Sequence, residues 1–107
     1  VLVWNYHDVD GASEASPTTV TIAGIPVGVR RVLSEHYRLD DTHSNAYTVW
    51  LGMGSPQHPT AQQYAQLKEA GQLQMLTSPA WVEVKDGSVV VKTEMPRQGI
   101  LLIRLTW

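Results

Sequence analysis

No cysteine occurs among the 107 residues, so disulfides, thiolate zinc sites and cysteine nucleophiles are excluded. The absence leaves the compartment open. Positive charge is scarce as well. Eight Lys and Arg residues stand against ten Asp and Glu, and they are spread along the chain, with no basic stripe to displace phosphate counterions. Nucleic acid is therefore not an expected partner, and a membrane surface finds no handle either. No apolar run approaches the ~20 residues that cross a bilayer, and the first residues lack the charged-then-apolar layout of a signal peptide.

What is present is an ordinary mixture, 43% hydrophobic and 17% charged with a net charge of -2, at a length that suits one domain. It is too short for a catalytic barrel plus an accessory domain. Val1-Leu2-Val3-Trp4 reads as the middle of a strand, with no turn or cap before it, and Ile100 to Trp107 reads as a strand to its last residue. Both ends predict that residues 1–107 are a piece excised from a longer chain.

Runs of β-branched and aromatic residues between Gly, Pro, Asp and Ser predict six strands. They span Val1 to His7, Thr18 to Ala23, Val29 to Leu39, Trp81 to Lys85, Ser88 to Glu94 and Gln98 to Trp107. Asp86-Gly87 supplies the two positive φ angles of a type I′ turn, which predicts that the fourth and fifth strands pair as a hairpin. One helix is expected over residues 61–70. Thr60 and Gln63 form a capping box there, Gly71 can end the helix in the left-handed conformation, and Ala61, Tyr64, Ala65 and Leu67 form a stripe toward a core. Asp40 to Pro59 reads as a long irregular loop because of Gly52, Gly54, Pro56 and Pro59, and ordered loops of that length usually have a task. The fold class that follows is mostly β, an antiparallel sandwich with one short helix inserted after a long loop. In the last strand, Ile100 and Leu102 alternate with Leu101, Ile103 and Leu105. Both faces are apolar, so the second face needs the helix or a further partner to cover it.

A glycosidase needs two carboxyl groups about 5 to 10 Å apart across its sugar, and no such pair stands out. Adjacent Asp40 and Asp41 suit local backbone bonding in a turn, and Glu35, Glu83 and Glu94 suit outward strand positions. Asp8-Val9-Asp10-Gly11 opens like a calcium loop but lacks the later ligands, so a turn is expected. His7, His36, His43 and His58 have no metal-ligand spacing, and Gly52-Met53-Gly54-Ser55-Pro56 lacks the second glycine of a nucleophile elbow. No metal, cofactor or catalytic residue is assigned. Trp4, Tyr6, Trp50, Trp81 and Trp107 are candidate sugar platforms. Trp4 and Tyr6, sharing a strand face, are expected mainly to fill a core.

His36-Tyr37-Arg38-Leu39-Asp40, His43-Ser44-Asn45-Ala46-Tyr47 with Trp50, and Met53-Gly54-Ser55-Pro56 together resemble a block of bacterial family 39 β-xylosidases. Val3-Trp4-Asn5-Tyr6-His7-Asp8, Pro59 to Tyr64 and Pro96-Arg97-Gln98-Gly99 extend the likeness over essentially the whole chain. α-L-Iduronidases are similar more loosely. The resemblance implies a parent enzyme whose (β/α)8 barrel holds two catalytic glutamates, absent here, and hydrolyses β-xylosidic bonds with retention. Residues 1–107 would be a single β-sandwich accessory domain of that larger enzyme, packed beside the barrel. Xylo-oligosaccharide would be the parent's substrate. His36, Tyr37, Arg38, His43, Asn45, Tyr47 and Trp50 would be the residues at the substrate rim or the barrel contact. A carbohydrate-binding module and a homo-oligomer surface stay open as alternatives.

Overall fold

Burial alternates along the strands and sorts them into two layers. The computed structural model describes residues 1–6 and 14–107. The order is β1 (Leu2–Trp4), β2 (Ser16–Ile22), β3 (Arg31–Leu39), α1 (Ala46–Gly52), α2 (Ala61–Ala70), β4 (Gln74–Met75), β5 (Ala80–Glu83), β6 (Val89–Met95) and β7 (Ile100–Thr106). Among the described residues, one antiparallel sheet runs β1-β7-β3, with β4 and β5 both pairing along the far side of β3. The other sheet consists of β2 and β6.

Residues paired across antiparallel strands share a face, so the registers identify the core. Val91 and Val89 of β6 lie beside Val20 and Ile22 of β2. They meet Leu101 and Ile103 of β7 and Val32 of β3 from the other sheet, all buried. Met95 and Ile25 close the two ends of this cluster. The antiparallel sandwich expected from the sequence is therefore present.

The opposite face of the larger sheet is built of cross-strand rows. Trp4, Ile100 and Leu39 form one row, and Leu2, Leu102, Tyr37 and Met75 form the next. Leu2, Trp4, Leu39 and Met75 are exposed. The following row is charged, with Arg104 Nε 3.6 Å from Glu35 Oε2. The second side of β7 thus carries the open apolar surface that its doubly apolar sequence predicts. Trp4 and Tyr6 do not fill a core: they are 65% and 71% exposed, Trp4 standing on this outer face.

Three local expectations are corrected. Asp86 and Gly87 do take positive φ, 52° and 71°, and Lys85 and Ser88 exchange backbone hydrogen bonds at 2.9 Å. The pairing stops there, however. β5 joins β3 and β6 joins β2, because Val82 and Val89 are drawn into opposite layers of the core. The long loop contains a helix of its own, α1, whose N-cap Asn45 accepts from the backbone N–H groups of Tyr47 and Thr48. Helix α2 has its expected bounds and capping box, but Gly71 sits at φ -80° rather than in the left-handed region. Ala61, Tyr64 and Ala65 of its stripe are exposed and only Leu67 is half-buried. α1 and α2 pack chiefly on each other. His7, Asp8-Val9-Asp10-Gly11 and the predicted end of the first strand lie outside the described residues.

Candidate functional site

The candidate residues fall on one stretch, from the end of β3 through α1. Strand alternation sends His36 and Arg38 inward and Tyr37 to the outer face, so Tyr37 is separated from the others. Arg38 is buried and spans the sandwich. Its Nη1 donates to the Glu94 carbonyl and its Nη2 to Thr93 Oγ1, each at 3.1 Å, tying β3 to β6. His36 Nε2 lies 3.0 Å from the hydroxyl of buried Ser34.

Beyond β3 the chain turns tightly around Asp40. Asp40 Oδ1 accepts from the Thr42 and His43 backbone N–H groups, both at 2.8 Å, and from the Thr42 hydroxyl at 3.1 Å. His43 Nδ1 is 2.9 Å from the same oxygen, and Arg38 Nη1 is 3.9 Å from Oδ2. Partial burial would by itself raise the Asp40 pKa. The hydrogen bonds from His43 and Thr42 and the nearby His43 charge outweigh it and hold the carboxyl below its usual value of 3.8. The turn expected for Asp40 and Asp41 is thus realised at Asp40.

Ser44, not among the candidate site residues, takes φ 56° and is buried. Its hydroxyl donates to the Arg38 carbonyl at 2.7 Å and accepts from the Gln74 N–H at 2.7 Å, joining β3 to β4. Asn45 Nδ2 donates to the Asp40 carbonyl at 3.1 Å. Arg38, Asp40, His43, Ser44 and Asn45 are therefore one connected joint from which α1 projects. A Ser-Asn pair ahead of Ala46, Val49 and Trp50 at helical spacing was the available signal, since Asn is a preferred N-cap.

On α1, Tyr47 and Trp50 stack with centroids 5.8 Å apart and planes at 29°. Trp50 Nε1 donates to the Pro56 carbonyl at 3.0 Å, which folds the chain after α1 back beneath the indole. Trp50 and Met53 are half-buried, whereas Tyr47, Val49 and Leu51 stay exposed together with Tyr64 of α2. Among the described residues no cluster of three or more His, Asp or Glu is arranged to hold a metal. No helix among them is long and apolar enough to cross a membrane.

Residues 1–87 match the model of glycosyl hydrolases family 39. The chain belongs to that family. Its fold recurs in solved enzyme structures. It superposes on the family 39 enzyme of Xanthomonas axonopodis pv. citri with a TM-score of 0.80 at 18% identity, over 98% of this chain and 23% of that one. A monomeric β-xylosidase from Caulobacter crescentus gives 0.73 at 19% identity, over 98% and 23%. The bacterial orthologue of human α-L-iduronidase gives 0.67 at 20%, over 94% and 19%. This family 39 chain therefore spans less than a quarter of the length of these enzymes.

His36, on β3 two residues before Arg38, is expected to give the domain a pH response. Burial first, and the Arg38 charge second, lower the His36 pKa from 6.5. The unfolded chain then binds the proton more readily, so the stabilisation is complete above pH 6.5 and is lost as pH falls through that value toward the folded pKa. Asp40 acts in the same direction, but only below pH 3.8. We expect the melting temperature to fall as pH drops below 6.5 and His36→Gln to flatten that limb. An unchanged slope in the variant would assign the effect to other groups.

Proposed function

We propose that this chain is the non-catalytic β-sandwich of a xylan 1,4-β-xylosidase-like family 39 enzyme. It packs against a (β/α)8 catalytic portion that hydrolyses β-xylosidic bonds with retention, and it lends the stretch from Asp40 to Pro59 to the rim of the substrate site. The observation that carries this is the coverage: 98% of the chain superposes on 23% of a family 39 enzyme, which leaves most of such an enzyme elsewhere.

The carboxylates agree with a supporting role. A glycosidase acid needs a raised pKa, whereas Asp40 is engaged by its own turn and held low, and Glu35 faces Arg104. The open apolar rows on the outer sheet face suit a surface that a neighbouring domain covers. A carbohydrate-binding module would favour two coplanar exposed rings side by side; Tyr47 and Trp50 stack on each other and offer no such pair, while Trp4, on the open apolar rows, and Tyr6 are exposed.

The test compares the intact enzyme with residues 1–107 alone on an aryl β-xyloside. The intact enzyme is expected to turn over with retention and the isolated domain to show no turnover. Hydrolysis by the domain, abolished by replacing one of its own Asp or Glu residues, would refute the proposal.

A further inference from the structure

We propose that His43 is a sugar-contacting residue and Asp40 its positioning residue: the carboxylate fixes the imidazole so that Nε2 accepts a hydrogen bond from a substrate hydroxyl. The inference rests on the placement of this stretch at the substrate rim and adds the atom that makes the contact.

The geometry points to an imidazole that the turn itself does not require. Asp40 Oδ1 already receives the Thr42 and His43 backbone N–H groups, and the Asp40 N–H donates to the His43 carbonyl at 3.0 Å. The loop is closed by these bonds alone. The ring is nevertheless held, with Nδ1 2.9 Å from Oδ1 and 3.0 Å from the Thr42 hydroxyl. A carboxylate only accepts, so Nδ1 carries the proton, and in the neutral ring Nε2 is left as an acceptor. Nε2 has no partner among the described residues, and the side chain is 33% exposed while Asp40 is 10% exposed. A buried acceptor thus orients a partly exposed ring whose second nitrogen is left to accept. Arg38 stands behind the carboxylate, its Nη1 3.9 Å from Oδ2. A hydroxyl is the natural donor to such an acceptor, and neutral sugars present many.

The two nitrogens can be separated by substitution in the intact enzyme, assayed on 4-nitrophenyl β-D-xyloside. His43→Asn keeps a donor near the Nδ1 position and has no atom at Nε2. His43→Gln reaches the Nε2 position and gives up the Asp40 bond. Losing one hydrogen bond should raise KM roughly three- to tenfold in His43→Asn, with kcat and melting temperature unchanged, whereas His43→Gln, which reaches the Nε2 position but is no longer held by Asp40, should recover part of that loss without reaching the wild-type KM. A purely structural imidazole gives the reverse pattern, with His43→Asn silent and His43→Gln less stable, and that result overturns the inference. Selective 15N labelling of histidine in the wild-type enzyme adds a readout that needs no variant to fold. The Nδ1–H tautomer is expected, and an Nε2–H tautomer overturns the assignment. Xyloside cleavage with an unchanged KM in His43→Asn sinks this inference alone; no cleavage by the wild type sinks the underlying proposal with it.

Discussion

Replacing Arg38 with Met is expected to destabilise the domain by about 3–5 kcal/mol, the usual cost of removing one partner from a buried charged network. The Arg38 side chain is only 5% exposed. Met fills most of the space left by the stem, so little of the loss comes from a cavity. What remains unpaired decides the size. The Glu94 carbonyl and Thr93 hydroxyl lose their donors, and the Asp40 carboxylate loses the cation nearest its second oxygen. Arg38→Lys should recover less than half of this loss, because an ammonium on a flexible stem cannot replace a planar fork reaching two acceptors. Thermal and denaturant unfolding midpoints measure the effect. Adding Asp40→Asn to Arg38→Met should restore roughly 1 kcal/mol if the carboxylate is part of the same network. A loss below about 1 kcal/mol for Arg38→Met would show that the tie between the layers is dispensable.

The next largest effect is expected at Trp50. Trp→Ala costs about 3–5 kcal/mol in a full core. Trp50 is half-buried, so about 2 kcal/mol is the scale here. The indole holds two things at once, the ring of Tyr47 and the carbonyl of Pro56. Without it the chain after α1 is no longer drawn under the helix. We expect Trp50→Ala to lower the melting temperature of the intact enzyme and, on the proposed placement of this stretch at the substrate rim, to raise KM several-fold. Trp50→Phe, which keeps the stacking surface and gives up the Nε1–H bond, should lie between the two. A lowered melting temperature with kcat and KM both unchanged would leave the residue a packing role alone.

The elements best anticipated from the sequence were those set by local chemistry. The capping box of Thr60 and Gln63 delimits α2 because both halves of it lie within four residues. Asp86-Gly87 dictates its own backbone angles in the same way. That turn also shows where local chemistry stops. It fixes the Lys85 and Ser88 pair, but the choice of sheet for β5 and β6 depends on where Val82, Val89 and Val91 find apolar neighbours. Helix α1 was hidden by the glycines and proline that follow it, although Asn45 marks its start. Burial was hardest to foresee for Trp4, Tyr6 and Tyr64. Their hydrophobicity predicts a covered position, yet nothing among the described residues covers them. Among the candidate site residues, Arg38, His43 and Asn45 do converge. The bonds that join them run through Asp40 and Ser44, whose part depends on a turn geometry and a positive φ that residue types alone do not specify.

The middle position of β7 in the larger sheet has a consequence for biosynthesis. β7 pairs with β1 on one side and β3 on the other, and Leu2 meets Leu102 across about a hundred residues of chain. On the ribosome this central strand emerges after the other six, so β1 and β3 must wait with unpaired edges until it arrives. Such edges recruit strands from other chains, and closure over that distance is slow. The nascent domain is therefore most exposed to aggregation just before its last strand leaves the exit tunnel. A translational pause that leaves β6 outside the exit tunnel and β7 still inside it should lower the soluble yield more than a pause taken before β6 emerges.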